Sequence, residues 1–107
     1  MNMASVDRAP WVISTVDKTP TLEIVLLRQT VVLSWNQFVY AEGGDDEVRI
    51  AFASHDVVVR GAGLGALLRA IAANQVALIW ESGRSEGFPG LAGRFIREIV
   101  VRKIEVE

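Results

Sequence analysis

Only one stretch of this sequence spaces its apolar residues as an α-helix does. The spacing i, i+3, i+4, i+7 is held by four residues: Leu64, Leu67, Leu68 and Ile71. Alanines fill the positions between them, and Arg69 points away from the apolar side. A lone amphipathic helix buries its apolar face only against another element. We therefore predict one helix over about residues 64–74, packed on one face of a β-sheet.

Most other apolar segments have the length and alternation of β-strands. The candidate strands are residues 21–28, 47–53, 57–60, 76–80 and 95–106. Segments 47–53 and 57–60 are separated by the short polar link Ser54-His55-Asp56, which favours a β-hairpin. The predicted fold class is α+β, with a mainly antiparallel, bent sheet of about five to six strands and one helix.

Residues 30–42 allow two interpretations. Ser34 followed by Gln37 fits a capping box, which predicts a short helix over 35–42 that ends at Gly43. The alternative is a single bent strand over 30–41 with a bulge near Asn36.

The length of 107 residues is suited to one domain with one core. Pro10 and Pro20 mark residues 1–20 as an irregular arm anchored by Trp11 and its neighbours, and residues 21–107 as a single α+β domain. No apolar run approaches the ~18 residues of a membrane span, and no signal peptide is visible. The expected location is therefore cytoplasmic, with no membrane contact.

The one recognisable motif is the glycine-rich sequence at residues 61–66, which follows a valine-rich strand and opens the helix. Gly61, Gly63 and Ala66 fit the pattern G-x-G-x-x-[G/A], and Glu81 follows 20 residues after Gly61. Locally, this resembles the dinucleotide-binding fingerprint of Rossmann folds. The resemblance implies a tight turn at Gly61, pyrophosphate approach at Gly63, close helix packing at Ala66 and a ribose contact at Glu81.

A structural role for these glycines is the other interpretation, since glycine lets a helix leave a strand and pack closely. The resemblance covers about a quarter of the chain, and a doubly wound fold needs further βαβ units downstream. If the motif does bind a nucleotide, the glycine-rich loop 82–93 is placed to cover it. We predict no tightly held cofactor.

Basic residues suggest a second binding hypothesis near the carboxyl end. Phosphate contacts by Arg94, Arg97, Arg102 and Lys103, with Trp35 and Tyr40 as stacking platforms, are how single-stranded nucleic acid is held. The net charge of −2 and pI near 5.4 provide no overall attraction to a phosphate backbone. Nucleic acid is therefore not the expected partner, and half-exposed positions of a strand are the favoured explanation of the basic residues.

The sequence gives little support for a catalytic or a metal-binding function. The absence of cysteine and the single histidine exclude disulfides, thiolate sites and multi-histidine metal sites. His55 stands between Ser54 and Asp56, but adjacent residues at a strand end point apart. An acidic cluster around Gly43 and Gly44 has no calcium-loop spacing: Glu42, Asp45, Asp46 and Glu47. We assign no catalytic residue and no metal ligand, and an enzyme is not the expected class.

Hydrophobic content points instead to interaction with proteins. Half of the residues are hydrophobic, which is more than the core of so short a chain easily buries. A long terminal strand also offers an edge for pairing, and a surface tryptophan among Trp11, Trp35 and Trp80 would mark a partner site. The sequence therefore predicts a small protein-interaction or self-assembly domain, most simply a homo-oligomer.

Overall fold

The computed structural model describes residues 10–14, 18–82 and 93–105. Within them the chain forms eight strands and one α-helix, in this order: β1 (Trp11–Ile13), β2 (Thr21–Val25), β3 (Thr30–Ser34), β4 (Phe38–Gly43), β5 (Glu47–Phe52), β6 (His55–Ala62), α1 (Gly65–Ala72), β7 (Val76–Trp80) and β8 (Phe95–Lys103). A single 3₁₀ turn, Trp35–Gln37, joins β3 to β4 and is called the elbow below.

The strands form two sheets rather than the single bent sheet that the sequence predicted. The first sheet has the order β1-β7-β2-β3, and the second has the order β4-β5-β6-β8. The pairing of β2 with β7 is parallel, and every other pair is antiparallel. The α+β class with one helix is confirmed, but the number of strands is eight, because several short strands lie in segments without a clear alternation.

The elbow is what divides the structure into two sheets. The Ser34 hydroxyl accepts a hydrogen bond from the Asn36 amide at 3.1 Å, as an N-cap does. The Trp35 indole donates to the Val76 carbonyl at 3.0 Å, which fixes the elbow against β7. After one turn, β-favouring residues begin at Phe38 and the chain continues as β4. Both interpretations of this segment were thus partly right, although the bulge lies at Val39 instead of Asn36.

The core lies between the two sheets and beneath α1. Its members are buried aliphatic and aromatic residues from both sheets and the helix, among them Leu22, Ile24, Ile50, Val57, Leu64, Leu67 and Ile79. Trp35 packs on Phe52 with ring centroids 5.3 Å apart, which joins the elbow to the second sheet. Fully burying each large side chain stabilises the fold by about 1.5–3 kcal/mol.

Local periodicity located the helix and several strands correctly. Helix α1 lies inside the predicted range 64–74, β7 matches residues 76–80, and β5 pairs with β6 as the predicted hairpin. Strand β2 ends at Val25, earlier than predicted, because the Leu26 amide bonds to the Gln29 carbonyl and turns the chain. Within the predicted irregular arm, Trp11–Ile13 forms β1 and pairs with β7.

Candidate interaction surface

The exposed hydrophobic side chains of the described residues are concentrated on the edge strands of the two sheets. Six of them lie on edge strands: Val12 and Ile13 on β1, Val32 on β3, and Phe38, Val39 and Tyr40 on β4. The other two are Leu27, in the turn after β2, and Ile104, which follows β8. The exposed hydrophobic side chains of the described residues therefore lie mainly on strands that have a neighbouring strand on one side only.

One continuous segment supplies an edge of both sheets. Strand β3 is the last strand of the first sheet, and β4 is the first strand of the second sheet. The elbow connects them, so residues 30–43 form an unbroken border that we call the open edge. Its only charged residue is Glu42. Natural edge strands are usually protected by charges or proline, and this one carries almost none.

The backbone of β4 has unpaired hydrogen-bonding groups. The Gly44 amide donates to the Glu47 carbonyl at 2.9 Å at the end of the β4–β5 hairpin. Since antiparallel residues alternate between facing the neighbouring strand and facing away, Ala41 and Gly43 direct their amides and carbonyls away from β5. Among the residues that the structure describes, none is bonded to these outward groups.

The side chains of β4 are mostly exposed. Val39 is the extra residue of the bulge and is 60% exposed, while Tyr40 is 44% exposed on the same side as Glu42. Phe38 lies at the border of the core, with its ring 5.4 Å from that of Trp35. Sequence reasoning considered Tyr40 only as a stacking platform and missed Phe38 and Val39. The signal was present as three consecutive large apolar residues without polar alternation.

The opposite edge of the second sheet, β8, is bonded by other residues of the chain at two positions. The Glu81 carboxylate accepts a hydrogen bond from the Ile99 amide of β8 at 3.0 Å, and the Ser82 amide donates to the Ile96 carbonyl at 3.3 Å. The other Glu81 oxygen accepts from the Leu27 amide at 3.2 Å, beside the first sheet. Glu81, the residue predicted to contact a ribose, therefore bonds the middle of the β8 edge and links it to the turn after β2.

The glycines of the predicted nucleotide motif hold β6 and β8 close together. A Cβ atom on the buried Gly61 would collide with the Phe95 carbonyl and lie 3.0 Å from the Ile96 Cα. Gly63 has φ +68°, a conformation that side chains of L-residues disfavour. Both glycines thus have a structural reason to be present. Most of the loop predicted as a cover, residues 83–92, lies outside the described residues.

The amino-terminal end of α1 is already occupied by a carboxylate of the chain. Asp45 accepts a hydrogen bond from the Gly65 amide at 3.0 Å through its side chain, and from the Leu64 amide at 2.9 Å through its carbonyl. Ala66 lies next to this cap, beside an open cleft of about 620 Å³ that Arg69 and Arg94 also line. A phosphate at the helix end would meet the Asp45 charge at the amides that normally receive it.

The basic residues of the nucleic-acid hypothesis are distributed over different surfaces. The Arg94 guanidinium lies 5.9 Å from the centre of the Trp11 ring, and Arg97 is the bulged residue of β8. Arg102 and Lys103 follow each other in the strand and therefore point to opposite faces. Arg102 shares its face with acidic residues, so the structure does not gather the four into one basic groove.

Charges on the outer face of the second sheet neutralise one another. Arg49 bonds to Asp56 at 2.8 Å, and Arg60 bonds to Glu47 at 3.1 Å and to Glu98 at 3.3 Å. The hydrogen bond that Arg49 donates to Asp56 raises the pKa of Arg49, and the hydrogen bonds that Arg60 donates to Glu47 and Glu98 likewise raise the pKa of Arg60. These exposed pairs add little stability, but they leave this face without a strong potential of either sign.

The remaining candidate residues also have local partners. The Ser54 hydroxyl lies 2.7 Å from His55 Nδ1, whereas Asp56 bonds to Arg49 and does not orient the histidine. In the described part of the chain, no three His, Cys, Asp or Glu side chains are grouped as metal ligands. None of the helices within residues 10–14, 18–82 and 93–105 has the length and apolarity needed to cross a membrane.

Comparison with known proteins provides no relative from which a function can be transferred. No protein-family model, curated protein sequence or solved structure matches this chain.

Proposed function

We propose that this protein is a self-associating interaction domain that uses its open edge to bind a second copy of itself. The observation that carries the proposal is the contrast along one sheet: among the described residues β4 is apolar and has no strand on its outer side, whereas β8 is bonded by Glu81 and Ser82 at Ile99 and Ile96. Strand pairing on an exposed edge joins backbone hydrogen bonds with side-chain burial, which is how many sheets recruit partners.

The open edge exposes several large, mostly apolar side chains, whose burial can drive association. Four large residues, Val32, Phe38, Val39 and Tyr40, are at least partly exposed there. Fully burying one such side chain contributes about 1.5–3 kcal/mol, while association costs about 4–15 kcal/mol in lost translation and rotation. Several of these residues must therefore be buried together, and their contiguity along residues 30–43 makes this possible.

The low net charge also favours contact between identical chains. A charge of −2 gives weak mutual repulsion, and proteins near neutrality associate readily. The paired arginines and carboxylates on the outer face likewise leave no single-sign field that would keep two copies apart.

Sedimentation velocity over a wide range of concentrations tests this proposal. The unaltered protein should show a mass that rises with concentration towards an oligomer. Val39→Lys should weaken association by about tenfold or more, since a charge is placed on the edge at a cost of at least about 1.4 kcal/mol. Leu27→Lys is the matched control, because Leu27 is 64% exposed but lies in a turn, and it should associate like the unaltered protein.

A mass that stays monomeric at every concentration would contradict the proposal. Equal weakening by Val39→Lys and Leu27→Lys would place the contact away from the open edge. Circular dichroism of each variant checks that the substitution leaves the fold intact.

Anion binding beside the glycine turn is the second candidate function. The cleft of about 620 Å³ is lined by Arg69 and Arg94 as well as by Asp45. Two arginines against one aspartate favour a phosphate-bearing ligand that lies beside the arginines, away from the helix end that Asp45 occupies. Native mass spectrometry of freshly purified protein would detect a retained nucleotide as added mass. Calorimetric titration with ATP should then show binding that Arg69→Gln weakens, and no heat of binding would oppose this function.

A further inference from the structure

We infer that two copies pair through β4 in antiparallel orientation, with a two-fold axis at Ala41, so that their second sheets merge into one continuous sheet. This inference rests on the proposed self-association and specifies the strand, the partner and the register. The pairing follows from the choice of edge, the positions of the unpaired backbone groups and the charges on β4.

Strand β4 is the best of the available edges. The β8 edge is bonded by Glu81 at Ile99 and by Ser82 at Ile96, its far end carries the charge of Lys103, and β1 has only three residues. Strand β3 has five residues and one exposed large hydrophobic, Val32, whereas β4 has six residues and three such side chains. A partner strand therefore gains the most hydrogen bonds and the most apolar burial on β4.

The backbone limits where the two-fold axis can lie. In an antiparallel pair, a residue with outward hydrogen-bonding groups must face another such residue. Because Ala41 and Gly43 face outward on β4 and Glu42 lies between them, the sum of two paired residue numbers must be even. The axis therefore lies midway between two copies of the same residue, and Tyr40, Ala41 and Glu42 are the central choices.

Charge and bulge geometry select Ala41 among these three. An axis at Glu42 would set two identical carboxylates directly opposite each other, which is destabilising. An axis at Tyr40 would require Val39 to bond within the middle of the ladder, where the bulge disrupts pairing. An axis at Ala41 avoids both problems, because the bulge is met only at the end of the ladder.

The selected register is also complementary in side chains. It places Tyr40 opposite the partner's Glu42, so that the tyrosine hydroxyl donates to a carboxylate on the outer face, and symmetry produces this contact twice. It also places the projecting Val39 opposite the partner's Gly43, which has no side chain to obstruct it.

The same geometry explains why the assembly would close at two chains. A two-fold interface uses the same patch on both copies and leaves no second copy of it exposed. Beyond Val39, the bulge and the elbow turn the chain away from the direction of β4. Pairing is thus confined to a short ladder and does not extend into a fibre.

Cysteine cross-linking tests the register directly, because the protein has no cysteine of its own. Paired residues in an antiparallel ladder with two hydrogen bonds have Cα atoms about 5.5 Å apart, within the range for a disulfide. Mild oxidation of Ala41→Cys should therefore yield a covalent dimer as the main product. Val32→Cys is the matched control on β3 and should remain largely uncross-linked.

A mixing experiment resolves the neighbouring registers. Tyr40→Cys mixed with Glu42→Cys should form the heterodimer at several times the yield of either variant alone. Efficient cross-linking of Tyr40→Cys alone, or of Glu42→Cys alone, would overturn the Ala41 axis in favour of one of the other two. Sedimentation of each reduced variant shows whether it still associates before oxidation.

The outcomes separate this inference from the proposed function. Association without cross-linking at Ala41 or in the Tyr40→Cys and Glu42→Cys mixture would overturn the β4 pairing while leaving self-association intact. Preferential cross-linking of Val32→Cys would move the contact to β3. A protein that is monomeric at all concentrations would overturn both statements.

Discussion

The two edges of the second sheet, β8 and β4, differ in whether other residues of the chain bond to their outward backbone groups. On β8, the Glu81 carboxylate and the Ser82 amide satisfy backbone groups of Ile99 and Ile96. On β4, three large apolar side chains are exposed and outward backbone groups have no partner among the described residues. Both strands are edges of one sheet, so the difference shows that residues of the chain itself bond part of the β8 edge, whereas no described residue bonds the outward backbone groups of β4.

The contrast also separates residues that maintain the fold from residues that can bind. Gly61, Glu81 and Asp45 each satisfy or permit a specific internal contact. Val39 and Tyr40 are largely exposed within the chain, and replacing them removes little internal packing. Substitutions on the β8 side should therefore change stability, whereas substitutions on the β4 side should change association.

Gly61→Ala should have the largest effect on stability. The added methyl group would collide with the backbone of Phe95 and Ile96, which cannot move without separating β8 from β6. We expect a loss of about 3 kcal/mol in the free energy of unfolding, measured by urea denaturation. Gly44→Ala is the control beside β4, because nothing lies within 4 Å of its added carbon, and it should leave the urea midpoint nearly unchanged.

Glu81→Ala should have the next largest effect. It removes the acceptor of two backbone amides, and the Ile99 amide is partly buried and would lose its partner. We expect a loss of about 2 kcal/mol and, in sedimentation, additional association through the uncovered β8 edge. Glu98→Ala, which removes only an exposed contact to Arg60, is the control and should change neither measurement appreciably. Unchanged stability of Glu81→Ala would refute the role of Glu81 in bonding the β8 edge to the turn after β2.

Asp45→Ala should be less severe. It removes the side-chain acceptor of the Gly65 amide at the start of α1 while leaving the backbone contact to Leu64. Loss of such a cap costs about 1 kcal/mol, which thermal unfolding can detect. The neighbouring Asp46→Ala should leave the melting temperature almost unchanged. If Asp45→Ala also creates phosphate binding, the carboxylate had been blocking an anion site.

Val32→Lys should produce the smallest change. Val32 is 58% exposed on β3, so the fold should lose less than about 0.5 kcal/mol. If β4 is the contact strand, this variant should weaken association by less than about threefold, well below the effect of Val39→Lys. Sedimentation velocity of Val32→Lys and Val39→Lys at matched concentrations compares how much each substitution weakens association. Equal weakening would show that the contact includes β3 as well as β4.

Sequence reasoning succeeded where the determining signal is local. Helix α1 follows from the spacing of Leu64, Leu67, Leu68 and Ile71, and the β5–β6 hairpin follows from a short polar link. The elbow was harder, because the capping signal at Ser34 and the β-favouring residues after Gln37 compete within a few positions. The structure contains the result of each signal in turn, first the capped turn Trp35–Gln37 and then strand β4.

Pairings between distant segments could not be predicted in the same way. Glu81 contacts amides that are 54 and 18 residues away in sequence, so its role depends on a fold that periodicity does not specify. The division into two sheets likewise depends on β7 pairing with β1 and β2. The motif at Gly61 and Gly63 was visible, but its spacing could not distinguish close strand packing from phosphate binding.

The position of β7 between β1 and β2 has a consequence for how the protein is made. In a chain synthesised from its amino end, the first sheet stays without this inner strand until residues 76–80 emerge, long after β1 and β2. Strand β6 likewise waits for residues 95–103 before its free side is paired. Contacts this distant in sequence form slowly, so the nascent chain depends on the local β4–β5–β6 meander to hold its apolar residues together until the last strands arrive.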